Sequence, residues 1–220
     1  MKPRIVILCA GASSRLGEPK ALATIGGRVV LEWMLTASHS ALEQHALPLV
    51  VTGAHHGAIT KFLALVANRI PAPLASEALF NPHWSLGRTG GVQLAGPRCP
   101  DEDLLIWPAD VPLVSATSIE ALLREWSKIG SPPRGWLAPR VERRDGEARS
   151  ALDGARFGHP ILLGHELVRE AQRMDPGTPL RQLREQASPL CSLGVEDLAV
   201  LDDLDTPDDL ERLRQRVGRG

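Results

Sequence analysis

Short, unbroken apolar runs, each closed by Gly or Pro and separated by helix-period segments, limit the folds open to this chain more than any other feature. Arg4 to Cys9 is a run of β-branched residues and Leu bounded by Pro3 and Gly11. Continuous rather than alternating apolarity marks a strand covered on both faces, as in a parallel sheet. A second run, Leu47 to Thr52, closes at Gly53, and a third, Leu104 to Trp107, ends at Pro108 and Asp110. Between them, Val29 to Ser38 carries apolar residues at Val30, Leu31, Met34 and Leu35, and Ile59 to Ile70 at Phe62, Leu63, Val66 and Ile70. That spacing follows the helical period, and strand alternating with helix predicts an α/β sandwich with a mostly parallel sheet.

The remainder continues the pattern less clearly. Thr117-Ser118-Ile119-Glu120 reads as a capping box opening a helix through Leu122, Leu123 and Trp126. From Gly130 to Gly158 the composition shifts to Pro, Gly, Arg and Glu, with Gly135 to Ala138 as a short strand and Glu142 to Arg149 as a solvated hairpin tip or loop. Ile161 to Leu163 reads as a strand, and Glu166 to Arg173 and Pro179 to Gln186 as helices. Leu198 to Leu201 reads as a last strand, followed by a helix start with Thr206 as N-cap, Pro207 at the first helical position and Asp209 three residues after the cap. At 220 residues the chain is expected to be a single domain, 1–220, with a charged loop or hairpin at about 140–156.

Charge and cysteine content narrow the function classes. Lys and Arg number 25 against 26 Asp and Glu, a net charge of -1, so duplex nucleic acid and anionic membrane are not expected partners. Hydrophobic residues make up 43% of the chain, which excludes disorder. Cys9, Cys99 and Cys191 form no CxxC pair, so neither a disulfide framework nor a zinc ribbon is encoded. The apolar run near the start spans only Ile5 to Ala10, too short for a signal peptide, and Leu8 before Cys9 does not suit a lipoprotein site. A reducing, cytoplasmic setting is the expectation.

The chemistry-bearing stretch is Leu8-Cys9-Ala10-Gly11-Ala12-Ser13-Ser14-Arg15-Leu16-Gly17-Glu18-Pro19-Lys20, directly after the first strand. Small residues let backbone N–H groups approach phosphate oxygens, while Arg15 and Lys20 supply balancing charge. It is neither a P-loop nor GxGxxG, since two residues separate Gly17 from Lys20. An ordinary strand-to-helix loop with solvated cations is the alternative. Asp110 stands alone at the end of a central strand, where ligands of open α/β sheets gather, and can hold a divalent ion such as Mg²⁺ or merely cap a turn. Asp203 and Asp205, spaced i, i+2, can face one side and reach the same metal if the last strand continues, although Asp205 also has work at the helix start. Asn81 to Gly91 is a second Gly-rich loop, with Gly87, Gly90 and Gly91 suited to a base, a sugar or a simple turn. His159, between Gly158 and Pro160, can touch substrate or bond a backbone carbonyl. His55 and His56 lack a third ligand at plausible spacing. Trp33, Trp84, Trp107, Trp126 and Trp136 are expected in the core.

The Leu8 to Lys20 stretch resembles the LAAGxSxRMGxPK signature of the MobA-like NTP transferases, and within them the branch that cytidylates the molybdenum cofactor. The resemblance continues in order through Trp84 to Gly91, Asp110-Val111-Pro112, Gly158-His159-Pro160 and Asp203 to Leu210. It implies a Rossmann-like three-layer sandwich of the nucleotide-diphospho-sugar transferase type. It further implies that Leu8, Ala10, Gly11, Ala12, Ser13, Ser14, Gly17, Gly87, Gly91 and His159 border the nucleotide, with Lys20 and Arg15 on its phosphates. Asp110 would hold Mg²⁺, with Asp203 or Asp205 as second ligand. Ala10 before Gly11 resembles the Ala-Gly form of the cytidylyl enzymes, implying CTP. The acceptor implied is a molybdopterin-type phosphate, and a molybdoenzyme is the implied partner. Where relatives carry Ser four residues after the glycine matched by Gly87, this chain has Gly91, and the segment from Arg140 to Arg156 is longer than usual.

The reaction can be stated from residue chemistry. An acceptor phosphate attacks the α-phosphorus in line, pyrophosphate leaves, and cationic groups offset charge developing on the oxygens. The nucleophile is already anionic, which agrees with a sequence lacking an obvious Ser/His/Asp arrangement. Two other readings stand beside it: transfer to a sugar phosphate or other small phosphate, and a non-catalytic protein that binds nucleotide or cofactor and delivers it to a partner.

Overall fold

The computed structural model describes residues 3–42, 47–69, 72–141 and 156–218. In chain order the strands and helices are β1 (Arg4–Cys9), the β2 (Thr24–Ile25) and β3 (Arg28–Val29) hairpin, α1 (Val30–Leu42), β4 (Leu49–Thr52), α2 (His56–Ala67) and β5 (Glu77–Phe80). There follow α3 (Arg88–Ala95), β6 (Leu104–Pro108), α4 (Ala116–Lys128), β7 (Trp136–Val141), β8 (Arg156–Phe157), β9 (Ile161–Leu163), α5 (His165–Arg173), β10 (Leu190–Gly194) and α6 (Pro207–Val217).

One sheet organises these elements, in the order β10-β7-β9-β6-β1-β4-β5, with β8 paired to β7. β1 runs parallel to both β4 and β6, β5 is parallel to β4, and β10 is parallel to β7. Within this sheet only β9 and β8 run against their neighbours, while β2 and β3 form a separate antiparallel pair. Successive residues of each strand point to opposite faces, so Ile5, Ile7, Val50, Leu105 and Trp107 pack with α1, α2, α4 and α6 on one side. Val6, Leu8, Leu49, Val51 and Ile106 pack with α3 and α5 on the other. The result is the expected α/β three-layer sandwich, and its chain reverses direction across the sheet at β1. The carboxyl ends of β1, β4 and β6 therefore converge on a switch point, where a crevice for a ligand opens. Among the described residues no helix is long and apolar enough to cross a membrane.

Several elements differ from the sequence expectation. α4 is capped by Ser115, whose Oγ accepts from the Ser118 N–H, and not by Thr117. Asp197 decides this, because its Oδ2 receives the Ser115 N–H at 3.0 Å and the Ser115 and Ser118 hydroxyls at 2.9 and 2.8 Å. Leu198–Leu201 is a 3-10 turn started by Asp197 rather than a strand. The last strand is β10, an edge strand with no fully buried residue, so its sequence carries no continuous apolar run. Pro179 to Gln186 forms a 3-10 helix at Leu180–Glu185 in place of an α-helix. The charged segment 142–149 lies outside the described residues, but Arg140 and Val141 pair antiparallel with Phe157 and Arg156 on either side of it. The α6 start is as expected: Thr206 Oγ1 accepts from Asp209 N–H while Asp209 Oδ2 accepts from Thr206 N–H, a reciprocal capping box with Pro207 beside it.

Candidate active site

Three backbone segments meet at the carboxyl edge of the sheet. The first is the loop after β1. Ser13 adopts φ +55°, its carbonyl accepts from the Leu16 and Gly17 N–H groups, and its hydroxyl accepts from the Lys20 N–H at 3.0 Å. Gly17, at φ +83°, supplies the left-handed turn that returns the chain toward Lys20. The end of β4 seats this loop: Ala54 N–H donates to Ala10 O, and a Cβ on Gly53 would lie 2.4 Å from that same oxygen. His55 Nε2 donates to Ala12 O at 3.0 Å. Ala12 and Gly17 thus shape the loop, whose residues Leu8, Ala10, Gly11, Ser13 and Ser14 line the cleft.

The second segment follows β6. Ala109 N–H donates to Leu8 O, Val111 N–H to Pro108 O, and the buried Trp107 indole to Val111 O at 2.7 Å, which together clamp the turn that presents Asp110. The third precedes α6, and Leu204 N–H donates to Asp110 O at 2.6 Å. Asp203 and Asp205 therefore arrive on irregular backbone tied to the Asp110 turn, not at a strand end as expected.

Lys20, Arg15, Asp110 and Asp205 line one cleft of about 250 Å³ with Leu8, Ala10, Gly11, Ser13, Ser14, Gly87 and Gly91. Within it the charges are already paired. Asp205 bonds Lys20 through one oxygen and Arg15 through the other, the latter at 2.9 Å, and the Lys20 ammonium beside it holds its carboxyl below the usual range. Asp110 bonds Arg88, which no sequence argument singled out, through Oδ2, while its Oδ1 is buried with no partner. Desolvation and the Asp110 and Asp205 carboxylates raise the Asp203 carboxyl. Asp203 lies in a neighbouring polar pocket of about 310 Å³ that also includes Asp110, Asp205, Arg88 and His159.

A wider, mostly apolar cavity of about 730 Å³ opens beside the cleft and shares Leu8, Gly87, Arg88 and Pro108 with it. Trp136, Ile161, Leu180 and Leu190 supply apolar walls, with Arg181 and Arg184 among them, and Arg184 lies over the Phe157 ring at 5.5 Å. His159 borders this cavity and also the polar pocket that includes Asp110, Asp203 and Arg88, rather than the cleft lined by Lys20 and Arg15. Burial, then the Arg88 charge, pushes its imidazole down to about 4, and its Nδ1 has no partner.

The second glycine loop differs most from expectation. Gly87, at φ +126°, ends a 3-10 turn and starts α3 at Arg88, so Gly90 and Gly91 are helical rather than looped. A Cβ on Gly91 would meet Leu8 Cδ2 at 3.0 Å, so the small residue lets α3 sit against β1. Of the tryptophans, Trp107, Trp126 and Trp136 are buried as expected, but Trp84 lines the cleft. Cys9 and Cys99 are buried free thiols, pushed up to about 12 and about 11 chiefly by desolvation, which leaves them unreactive.

With the cleft described, comparison with known proteins is informative. Residues 5–190, well over half the chain, match the MobA-like NTP transferase domain family. The chain is 24% identical over 211 residues to the molybdenum cofactor cytidylyltransferase of Escherichia coli (strain K12), covering 96% of this chain and 95% of that one. Among solved structures it superposes on Rv0371c of Mycobacterium tuberculosis H37Rv with a TM-score of 0.72 and 21% identity, covering 98% and 100% of the two chains; a manganese complex of Rv0371c superposes at 0.69. A CMP:2-keto-3-deoxy-manno-octonic acid synthetase complexed with CTP superposes at 0.71 with 16% identity over 100% and 99%. A cation-lined loop after the first strand, an aspartate at the end of a central strand in the same cleft and a family match across both agree, and the chain belongs to the MobA-like NTP transferases, as a nucleotidyltransferase.

Proposed function

We propose that this protein transfers a cytidylyl group from CTP to the phosphate of a molybdopterin-type acceptor, releasing pyrophosphate. The observation that carries the reading is the shared lining of two cavities: a small polar cleft with Lys20, Arg15 and Asp110, continuous at Gly87 and Arg88 with a larger apolar one. The first suits a triphosphate. The second, walled by Trp136, Leu180 and Leu190 and bordered by arginines, suits a flat heterocycle carrying a phosphate better than a polyhydroxylated sugar phosphate. The name of the Escherichia coli relative supports this acceptor, and the CTP complex of the synthetase supports the nucleotide.

In this mechanism Lys20 and Arg15 exchange Asp205 for the β- and γ-phosphates, holding the leaving pyrophosphate. An acceptor phosphate oxygen forms the new P–O bond at the α-phosphorus as the bond to pyrophosphate breaks, and fixed cations meet the charge that develops. Ala10 and Gly11 line the cleft, and the space beside Gly11 is open, since a Cβ there would meet nothing within 4 Å.

The residues present also fit Mg²⁺. No group of three or more His, Cys, Asp or Glu among the described residues could hold a metal ion alone, but Mg²⁺ commonly takes one or two carboxylates and completes its octahedron with water and phosphate. Asp110, with its orphaned Oδ1, and Asp203, which shares a polar pocket with it, would hold it, while Asp205 is the counter-ion of Lys20 and Arg15 in the empty cleft. When bound, the ion neutralises phosphate oxygens and orients the α-phosphorus. The manganese complex of Rv0371c supports a divalent-ion site in this fold. A reducing cytoplasm is the compartment we propose, consistent with its three free thiols. Pyrophosphate release from purified protein with CTP, Mg²⁺ and molybdenum cofactor tests the reading. Release that needs the acceptor and drops with Lys20→Ala supports it; release with a sugar phosphate instead transfers the reading to that acceptor, and CTP binding with no turnover leaves a delivery protein.

A further inference from the structure

Among the described residues, Arg88 is the one cation that borders all three of these cavities, and its guanidinium sits on the very carboxylate proposed to hold the metal. Asp110 is 14% exposed at its side chain and Arg88 51%, so the arginine is the solvent-facing member of the pair. The other oxygen of Asp110 is buried and unbonded. A divalent cation approaching Asp110 without nucleotide therefore meets a positive charge on one oxygen and a poorly reached second oxygen. With a triphosphate in the cleft, the guanidinium gains phosphate oxygens as an alternative partner from the same position on the wall.

Resting on the nucleotidyl-transfer reading, we propose that Arg88 is a positioning residue that makes divalent-ion binding conditional on the nucleotide. It occupies Asp110 in the empty cleft, moves onto the phosphates when they enter, and in leaving frees the carboxylate for the ion. Because coupling between two ligands is reciprocal, the ion strengthens nucleotide binding through the same exchange. The other charged and titratable groups near this carboxylate are Asp203, Asp205, Lys20 and His159.

The test is Mn²⁺ binding followed by electron paramagnetic resonance on the full chain, with and without CTP, for the native protein, Arg88→Met, Arg88→Gln and Arg88→Lys. Without CTP, removing a unit charge in contact with the metal-binding carboxylate should tighten Mn²⁺ binding about tenfold in Arg88→Met and Arg88→Gln. The enhancement by CTP should shrink by a similar factor, and Arg88→Lys should stay close to native. Unchanged or weaker Mn²⁺ binding in whichever neutral variant folds overturns the role of Arg88, since a merely structural residue would only loosen the site. Failure of the native protein to bind CTP with Mn²⁺ defeats the transferase reading instead, while the measurement with Mn²⁺ alone still decides whether Arg88 guards Asp110.

Discussion

Replacing Asp205 by Asn separates two roles, the metal ligand that the sequence allowed and the counter-ion of Lys20 and Arg15 that the structure shows. In the structure Asp205 neutralises Lys20, only 16% exposed, and Arg15, 69% exposed. Exposed ion pairs contribute about 0.2–1 kcal/mol, so the shielded Lys20 pair sits near the top of that range and the Arg15 pair near the bottom. Incoming phosphates must displace this interaction. Removing it should return about 1 kcal/mol to metal-free CTP binding, a roughly fivefold tighter Kd. Calorimetry with chelator present at low salt should show the gain, and high salt should erase most of it, because screening weakens the competing pair. The same variant should lose about 1 kcal/mol of stability, as Lys20 is left partly buried without its partner. Mn²⁺ binding in the presence of CTP should be nearly retained in Asp205→Asn and lost in Asp203→Asn. If Asp205→Asn gains nothing toward metal-free CTP and instead abolishes Mn²⁺ binding, the assignment of Asp205 as counter-ion is wrong and it is the second metal ligand.

Other expectations follow from the same geometry. Lys20→Ala should lower kcat/KM by about 2–4 kcal/mol of transition-state stabilisation, on the order of 10²-fold or more, in a pyrophosphate-release assay, with thermal unfolding little changed. His159 is held near 4 when folded against about 6.5 when unfolded, so below 6.5 the unfolded chain takes up the proton first. Its contribution is complete above pH 6.5 and is lost as pH falls toward 4, up to about 3 kcal/mol, and denaturant titrations across that window should show a shallower fall for His159→Gln. Thr206→Ala removes the hydroxyl of the α6 capping box and should cost about 1 kcal/mol by denaturant unfolding, with CTP binding weakened only if the Asp203 to Asp205 segment loosens with the helix.

What the sequence revealed and what it hid follow from burial. The interior strands β1, β4 and β6 are covered on both faces, so their apolar runs are continuous and legible, whereas β5 and β10 lie at the sheet edges with exposed positions and no such run. The Leu8 to Lys20 loop and Asp110 were readable because their chemistry depends on residue type and on following a strand. Arg88 was not, because its meaning depends on Asp110, distant in sequence, and on Gly87 starting a helix where two further glycines suggested a turn. The only available signal was a lone cation immediately after Gly87. Ser115 prevailed over Thr117 as a cap for a similar reason, since Asp197 approaches from a remote part of the chain.

The bond from Leu204 N–H to Asp110 O joins two distant stretches through main-chain atoms alone. Exchanging the side chains at 110, 203 and 205 does not remove this main-chain tie. A library that varies those positions, together with Arg88, would explore new ion preferences and leaving groups on an unchanged skeleton, which makes this corner of the molecule a natural starting point for redesign.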